Sequence, residues 1–337
     1  MLPGVSLPAV LPFWSLGALL LVSLSRLETR RRCIQIGFHA LYGALALVFP
    51  RLLHGASFAG DLDAAHLFLL RFEAPLHFGF AFFLFRIHAE PLRCDPIIPF
   101  AKALTAFFSL FTQLFIAYYV NESRGKKGIK PSDQYFYCAP ILNAVWTLTE
   151  MIRVYRHARN STTEVNILCQ KTQRCIEGLP PNVDNYFHLD AAMAFLYTFL
   201  NYAFPNQVLK LVIKREFATD TFHNLFCRQF GLWALFAGIS SIAAPNFTVE
   251  HQTAYIASRV MTQGVTFLLN VYGHWGGDIY SHNHITPFMI SGFYITFLLS
   301  IYYKLKRTAE SELQTVDAET DVPTEDEEEK EEKPKSS

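Results

Sequence analysis

Along most of this chain, apolar runs of about 20 residues alternate with short polar turns, the spacing expected of helices that cross a bilayer core of about 30 Å. The first run, residues 2–25, carries no charge and gives way to the basic turn Arg30-Arg31-Arg32. Further apolar segments follow at 33–50, 64–86, 98–120 and 135–156, and again at 189–212, 221–245, 253–275 and 285–303. The second set repeats the first. A shift of 157 residues sets His66 on His223, Arg71 on Arg228, Lys102 on Arg259, Thr105 on Thr262 and Gln113 on Asn270 without a gap. Phe49-Pro50 and Phe204-Pro205 correspond with a two-residue slip.

The expected fold is therefore all-α: a polytopic membrane protein of about nine transmembrane helices, built as one leading helix plus two parallel four-helix repeats. The expected divisions are a leading helix and basic turn at 1–32, a first repeat at 33–156, a linker at 157–188, a second repeat at 189–304 and an acidic tail at 305–337. A cleaved signal peptide is the rival reading of 2–25, but the arginines follow that run instead of preceding it.

Composition agrees with the pattern: 51% of residues are apolar and only 17% charged. The formal net charge of zero hides a division, because the tail from Thr308 holds 12 acidic and 3 basic residues. The body is left basic, as suits loops that meet anionic lipid headgroups. Its basic residues are not interleaved with stackable aromatics outside the apolar runs, which excludes nucleic acid as a partner. The six cysteines form no CxxC, and neither a nucleophile motif nor a glycine-rich phosphate loop occurs. No cofactor is expected.

The distribution of Lys and Arg places the chain start in the lumen and its last helix ending in the cytosol. Three N-x-S/T sequons occur, and in this orientation only Asn121 is lumenal, which makes it the glycosylation candidate. Lys333 and Lys335 form a KxKxx pattern that resembles a dilysine retrieval signal, read by coat machinery. The expected location is the endoplasmic reticulum membrane, with membrane lipids and other membrane proteins as partners.

Polar residues inside apolar runs are the candidate functional positions, since a charge in hydrocarbon normally faces protein or water. Arg71, Lys102, Arg228 and Arg259 are candidates for binding a lipid headgroup or other anion. Lys102 and Glu150 are placed to pair near the cytosolic surface. His66, Glu73 and His77, spaced seven and four apart, fall on one helical face and could bind a metal, relay protons or simply neutralise Arg71 or Lys102. In the segment GHWGGDIYSHNH, His274, Asp278, His282 and His284 offer metal-ligand chemistry on a glycine-broken turn, with a solvated loop as the plainer alternative.

Each half resembles the small four-helix membrane modules of the DoxX-like type. The resemblance rests on the Phe-Pro closures at 49–50 and 204–205, the Leu-Arg and Cys-Arg openings at 70–71 and 227–228, and Ile-Tyr-Tyr-Lys at 301–304. It implies a helical membrane fold over most of 33–304 and brings no catalytic residues. The tandem duplication, the leading helix and the acidic tail depart from it. The function expected is non-enzymatic: binding, moving or scaffolding lipids or partner membrane proteins. A membrane-embedded lipid-modifying enzyme using the histidine and carboxylate positions is the alternative, and a channel or transporter the third.

Overall fold

The computed structural model describes residues 15–22, 28–54, 58–59, 62–87, 97–122, 130–131, 133–160, 183–281 and 285–320. Among the described residues, after a helical stretch at 15–22, eleven further α-helices follow one another: α1 (Glu28–Val48), α2 (Pro50–His54), α3 (Ala64–Arg71), α4 (Glu73–Arg86), α5 (Ile97–Glu122), α6 (Asp133–Asn160), α7 (Val183–Ala203), α8 (Pro205–Val212), α9 (Thr221–Ala243), α10 (Val249–Val271) and α11 (Ile285–Thr320). Among the described residues the regular structure is helical apart from the two-residue strands β1 (Phe58–Ala59) and β2 (Lys130–Pro131). The leading segment before Ser15, most of the 157–188 linker and the tail beyond Thr320 lie outside the described residues.

Among the described residues, four stretches are long and apolar enough to cross a membrane: Ala64–Arg86, Ile97–Ile116, Thr221–Asn246 and Phe288–Thr308. Nine were expected. The first of them, 2–25, lies mostly outside the described residues, and the other long helices carry charge. α1 begins with Glu28 and Arg30–Arg32, α6 contains Glu150, Arg153 and Arg156, and α7 contains Asp184 and Asp190. Outward faces are nevertheless apolar. On α5, Phe107, Phe111, Leu114 and Phe115 are exposed at helical spacing, and on α6 Ile141, Val145, Leu148, Ile152 and Tyr155 form a second stripe.

The elements of 28–160 recur in the same order in 183–320. α1 packs on α4, as α7 packs on α9, and α5 packs on α6, as α10 packs on α11. The halves interlock reciprocally, α4 against α10 and α9 against α5. Between α3–α4 and α9, rings meet in parallel register: His66 with His223, Phe72 with Phe230, His77 with Trp233 and Phe80 with Phe236. α4 and α10 approach closely at Gly79, where a Cβ would fall 1.9 Å from Thr262 Oγ1. The end loops are tied alike, with Phe58 paired to Pro131 in one half and Ile213 bridged to Tyr280 in the other.

One expectation fails inside the first half. His66, Glu73 and His77 do not share one unbroken helix, because the chain turns at Phe72 between α3 and α4. Pro75 explains the break. It has no N–H to give the carbonyl of Arg71, and its ring crowds that carbonyl. The second half has Leu232 at this position, and α9 runs through.

Candidate functional site

The Phe-Pro pairs end α1 and α7, leaving terminal carbonyls without helical donors. Arginine supplies them. Arg71 Nε donates to Leu47 O at 3.0 Å, and Arg228 Nε donates to Tyr202 O at 3.2 Å. Leu47 and Tyr202 stand 155 residues apart, as the two Phe-Pro pairs do, so these are one contact made twice. Both arginines, expected at an anion, thus spend one donor on the fold. Arg71 also lies over the Tyr272 ring at 5.2 Å.

Arg259 is taken by an acid from another helix. Its Nε and Nη2 each lie 3.1 Å from an oxygen of Asp190, which is fully buried on α7. Arg259 also donates to Tyr294 Oη at 2.7 Å, and both Tyr294 and Ser241 donate to Asp190. This bidentate pair is the strong form of guanidinium–carboxylate contact. The matching positions in the first half are Lys102 and Gln35, whose Nζ and Oε1 are 3.1 Å apart. Lys102 Nζ sits 4.8 Å above the Phe80 ring. Glu150, expected near Lys102, is buried and accepts from Arg153 Nη1 at 2.6 Å.

Two cavities occupy equivalent places. One, of about 180 Å³, is walled by Tyr42, Glu73, Ser109, Gln113 and Gln229 among others. The other, of about 240 Å³, is walled by Tyr197, Phe230, Thr266, Asn270 and Phe72 among others. Taken in order, these five pairs of positions are 155 or 157 residues apart. Each wall borrows residues from α9 or α3–α4 of the opposite half.

Their chemistry differs. In the first, Tyr42 Oη donates to Glu73 Oε2 at 2.6 Å, and the Tyr42 ring stacks on His77 at 4.3 Å. His77 Nδ1 lies 2.8 Å from His39 Nδ1, and Trp233 packs edge-on against His77. In the second, Phe230 stands where Glu73 does, and Val208, Val212 and Leu200 extend the wall. Its polar groups are mutually engaged. Asn270 accepts from Tyr280 Oη and donates to Ser291 Oγ at 3.0 Å.

His66 belongs to a separate cluster. Asp63 and Asp220 cap α3 and α9, each carboxylate accepting the backbone N–H three residues on. The rings of His66 and His223 lie face to face, with centroids 3.5 Å apart and planes 35° apart. His66 Nε2 is 3.1 Å and His223 Nδ1 3.0 Å from Asp220 Oδ1. His66 Nδ1 is 2.8 Å and His223 Nε2 3.5 Å from Asp63 Oδ1. Burial acts to raise the Asp220 carboxyl, but the hydrogen bonds from His223 and His66 outweigh it and hold the group well below the usual carboxylate range.

The remaining positions scatter. His274 stands in a π-helical turn, 4.7 Å from the Trp275 ring. Asp278 is exposed and paired with Lys214 Nζ at 2.5 Å, which lowers its carboxyl. The acid expected as a metal ligand therefore already has a cation. His282, His284, Lys333 and Lys335 lie outside the described residues, as does the side chain of Asn121.

A family model described as a domain of unknown function, DUF8292, matches residues 33–302, both halves in one span. The chain belongs to that family. No curated protein and no solved structure matches it. Within the DUF8292 span, Asp63, Tyr42, His39, Gln35, Asp190 and Asp220 join these sites without standing among the candidates drawn from the sequence. A signal existed for two of them, since Asp-x-x-His occurs at both 63–66 and 220–223.

Proposed function

We propose that this chain is a multi-pass membrane protein of the endoplasmic reticulum that binds lipid in its interhelical cavities, without catalysing a reaction. The observation that carries this reading is the cavity of about 240 Å³ lined mainly by Phe68, Phe72, Leu200, Val208, Val212 and Phe230. Its size and lining suit part of an acyl chain or the edge of a sterol. The outward stripes on α5 and α6 support membrane embedding, because exposed apolar bands of this length need an apolar surround. The in-register halves suit the parallel duplication and the DoxX-like resemblance, with the uncounted spans supplied by the more polar helices α1, α6, α7 and α10. The Lys333-x-Lys335 pattern supports the location.

Mass spectrometry of the chain purified in mild detergent tests this directly. A defined lipid class should co-purify with the wild type and fall severalfold in Val208→Trp, which fills the apolar cavity. A wild type that carries only the bulk lipid mixture, unchanged by the substitution, refutes the reading.

A second reading, a lipid-modifying enzyme, draws on the Tyr42–Glu73 pair and His77, which line the other cavity, with His39 behind His77. These could hold and move a proton. Conversion of a co-purified lipid by the wild type and its loss in Glu73→Gln would favour it over simple binding.

A further inference from the structure

The cluster between the two α3 and α9 N-termini is used neither by the cavities nor by the fold's ion pairs. We propose that Asp63, His66 and His223 form a binding site for a divalent transition-metal ion of the zinc class, with Asp220 orienting the two imidazoles. One ligand atom from each of the three residues lies within 4.8 Å of the others. Both histidines are buried, at 3% and 0% exposure, and His66 Nδ1 and His223 Nε2 have no hydrogen-bond partner. These two nitrogens lie on the same edge of the stacked rings, the edge that faces Asp63.

The opposite edge explains their orientation. His66 Nε2 and His223 Nδ1 face one carboxylate oxygen of Asp220. A proton on His66 Nε2 leaves its Nδ1 lone pair on the Asp63 side; His223 Nδ1 also lies 3.2 Å from the Asp220 backbone N–H, so an ion would select the His223 tautomer protonated at Nδ1 over the one that completes the capping box. That is the arrangement in which a carboxylate fixes the tautomer of a metal-binding imidazole and raises its basicity. Two neutral imidazoles and one carboxylate make a nitrogen and oxygen set suited to zinc, with a fourth position left to water or a ligand. The Asp63 side chain is 40% exposed, which gives an ion a way in and room for the carboxylate to swing onto it. None of Asp63, His66, Asp220 and His223 lines either cavity.

The test uses the full chain in detergent, stripped with a chelator and titrated with zinc chloride. Calorimetry should give close to one ion per chain, and thermal unfolding should shift upward with zinc, since a ligand that binds only the folded state stabilises it. Asp63→Asn keeps a side-chain oxygen for the α3 cap but loses the anionic ligand, so zinc affinity should fall tenfold or more. Asp220→Asn should weaken binding by about 10–100-fold through misoriented rings. Zinc uptake by His66→Gln and His223→Gln equal to that of the wild type would place the ion elsewhere and overturn the proposal. So would a folded, stripped wild type that takes up no zinc.

Discussion

The cavity beside Tyr42 and its counterpart beside Tyr197 are walled by equivalent helices at equivalent positions, yet one presents Glu73, His77 and Gln229 and the other Phe230, Val208 and Phe72. The contrast extends to the buried cation below each. In the second half Arg259 is neutralised in place by Asp190, with Tyr294 and Ser241 completing the carboxylate's contacts. In the first half Lys102 meets the uncharged Gln35. What the halves share is what holds helices: the aspartate N-caps, the arginine contacts to helix-end carbonyls and the loop pairing. What they do not share faces the interior. The difference teaches that one scaffold can be kept while its two interiors diverge, one toward polar and proton-holding groups, the other toward an apolar hollow.

The largest effect should come from the buried pair. Removing one partner of a buried ion pair leaves an uncompensated charge, which destabilises by about 3–5 kcal/mol. Asp190→Ala is therefore expected to lower the thermal midpoint in detergent sharply or prevent accumulation of folded protein. Gln35→Ala at the matching position removes one hydrogen bond to a charged group, worth about 1.5–3 kcal/mol at most. Equal losses in the two variants would erase the distinction between the halves.

A smaller effect is expected from exchanging the chemistry of the cavities. Phe230→Glu installs the first half's carboxylate in the apolar cavity, where Tyr197 is the equivalent of Tyr42. Among residues such as Leu200 and Val208 a poorly satisfied polar group costs about 1–3 kcal/mol. Co-purified lipid should fall with it. The reverse exchange, Glu73→Phe, removes the acceptor of the Tyr42 hydroxyl and should leave lipid in the second cavity unchanged, as quantified on the same samples. Loss of lipid in both variants would mean that the two cavities act as one.

Much of this architecture is legible in the residue pattern, because a basic or amide side chain inside an apolar run stands out and recurs at a fixed offset. The helices and the correspondence of His66 with His223 follow from that, but not the contact between the two rings. The cavities do not, since each wall takes residues from both halves and from helices related by 155 residues on one side and 157 on the other. The same slip hides Asp190 behind Gln35, two residues of different charge that only geometry shows to be equivalent. Proline decides the last case. His66, Glu73 and His77 have helical spacing, but Pro75 turns the chain at Phe72 and sends His66 to one cluster and Glu73 with His77 to another.

The smallest predicted effect tests what the halves have in common. Arg71 and Arg228 each give one hydrogen bond from a charged donor to a carbonyl that the Phe-Pro break leaves open. Methionine at either position preserves most of the apolar stem and removes the donor, so each substitution should lower stability by about 1–2 kcal/mol. The two contacts sit in different halves and share no partner, so the double variant should lose close to the sum of the single losses. Thermal unfolding of the four proteins completes the cycle. Additive, similar losses mean that the scaffold is held alike on both sides. If Arg228→Met alone is costly, or if it alone changes co-purified lipid, then that arginine also serves the apolar cavity, and the division between shared scaffold and divergent interior must be redrawn around it.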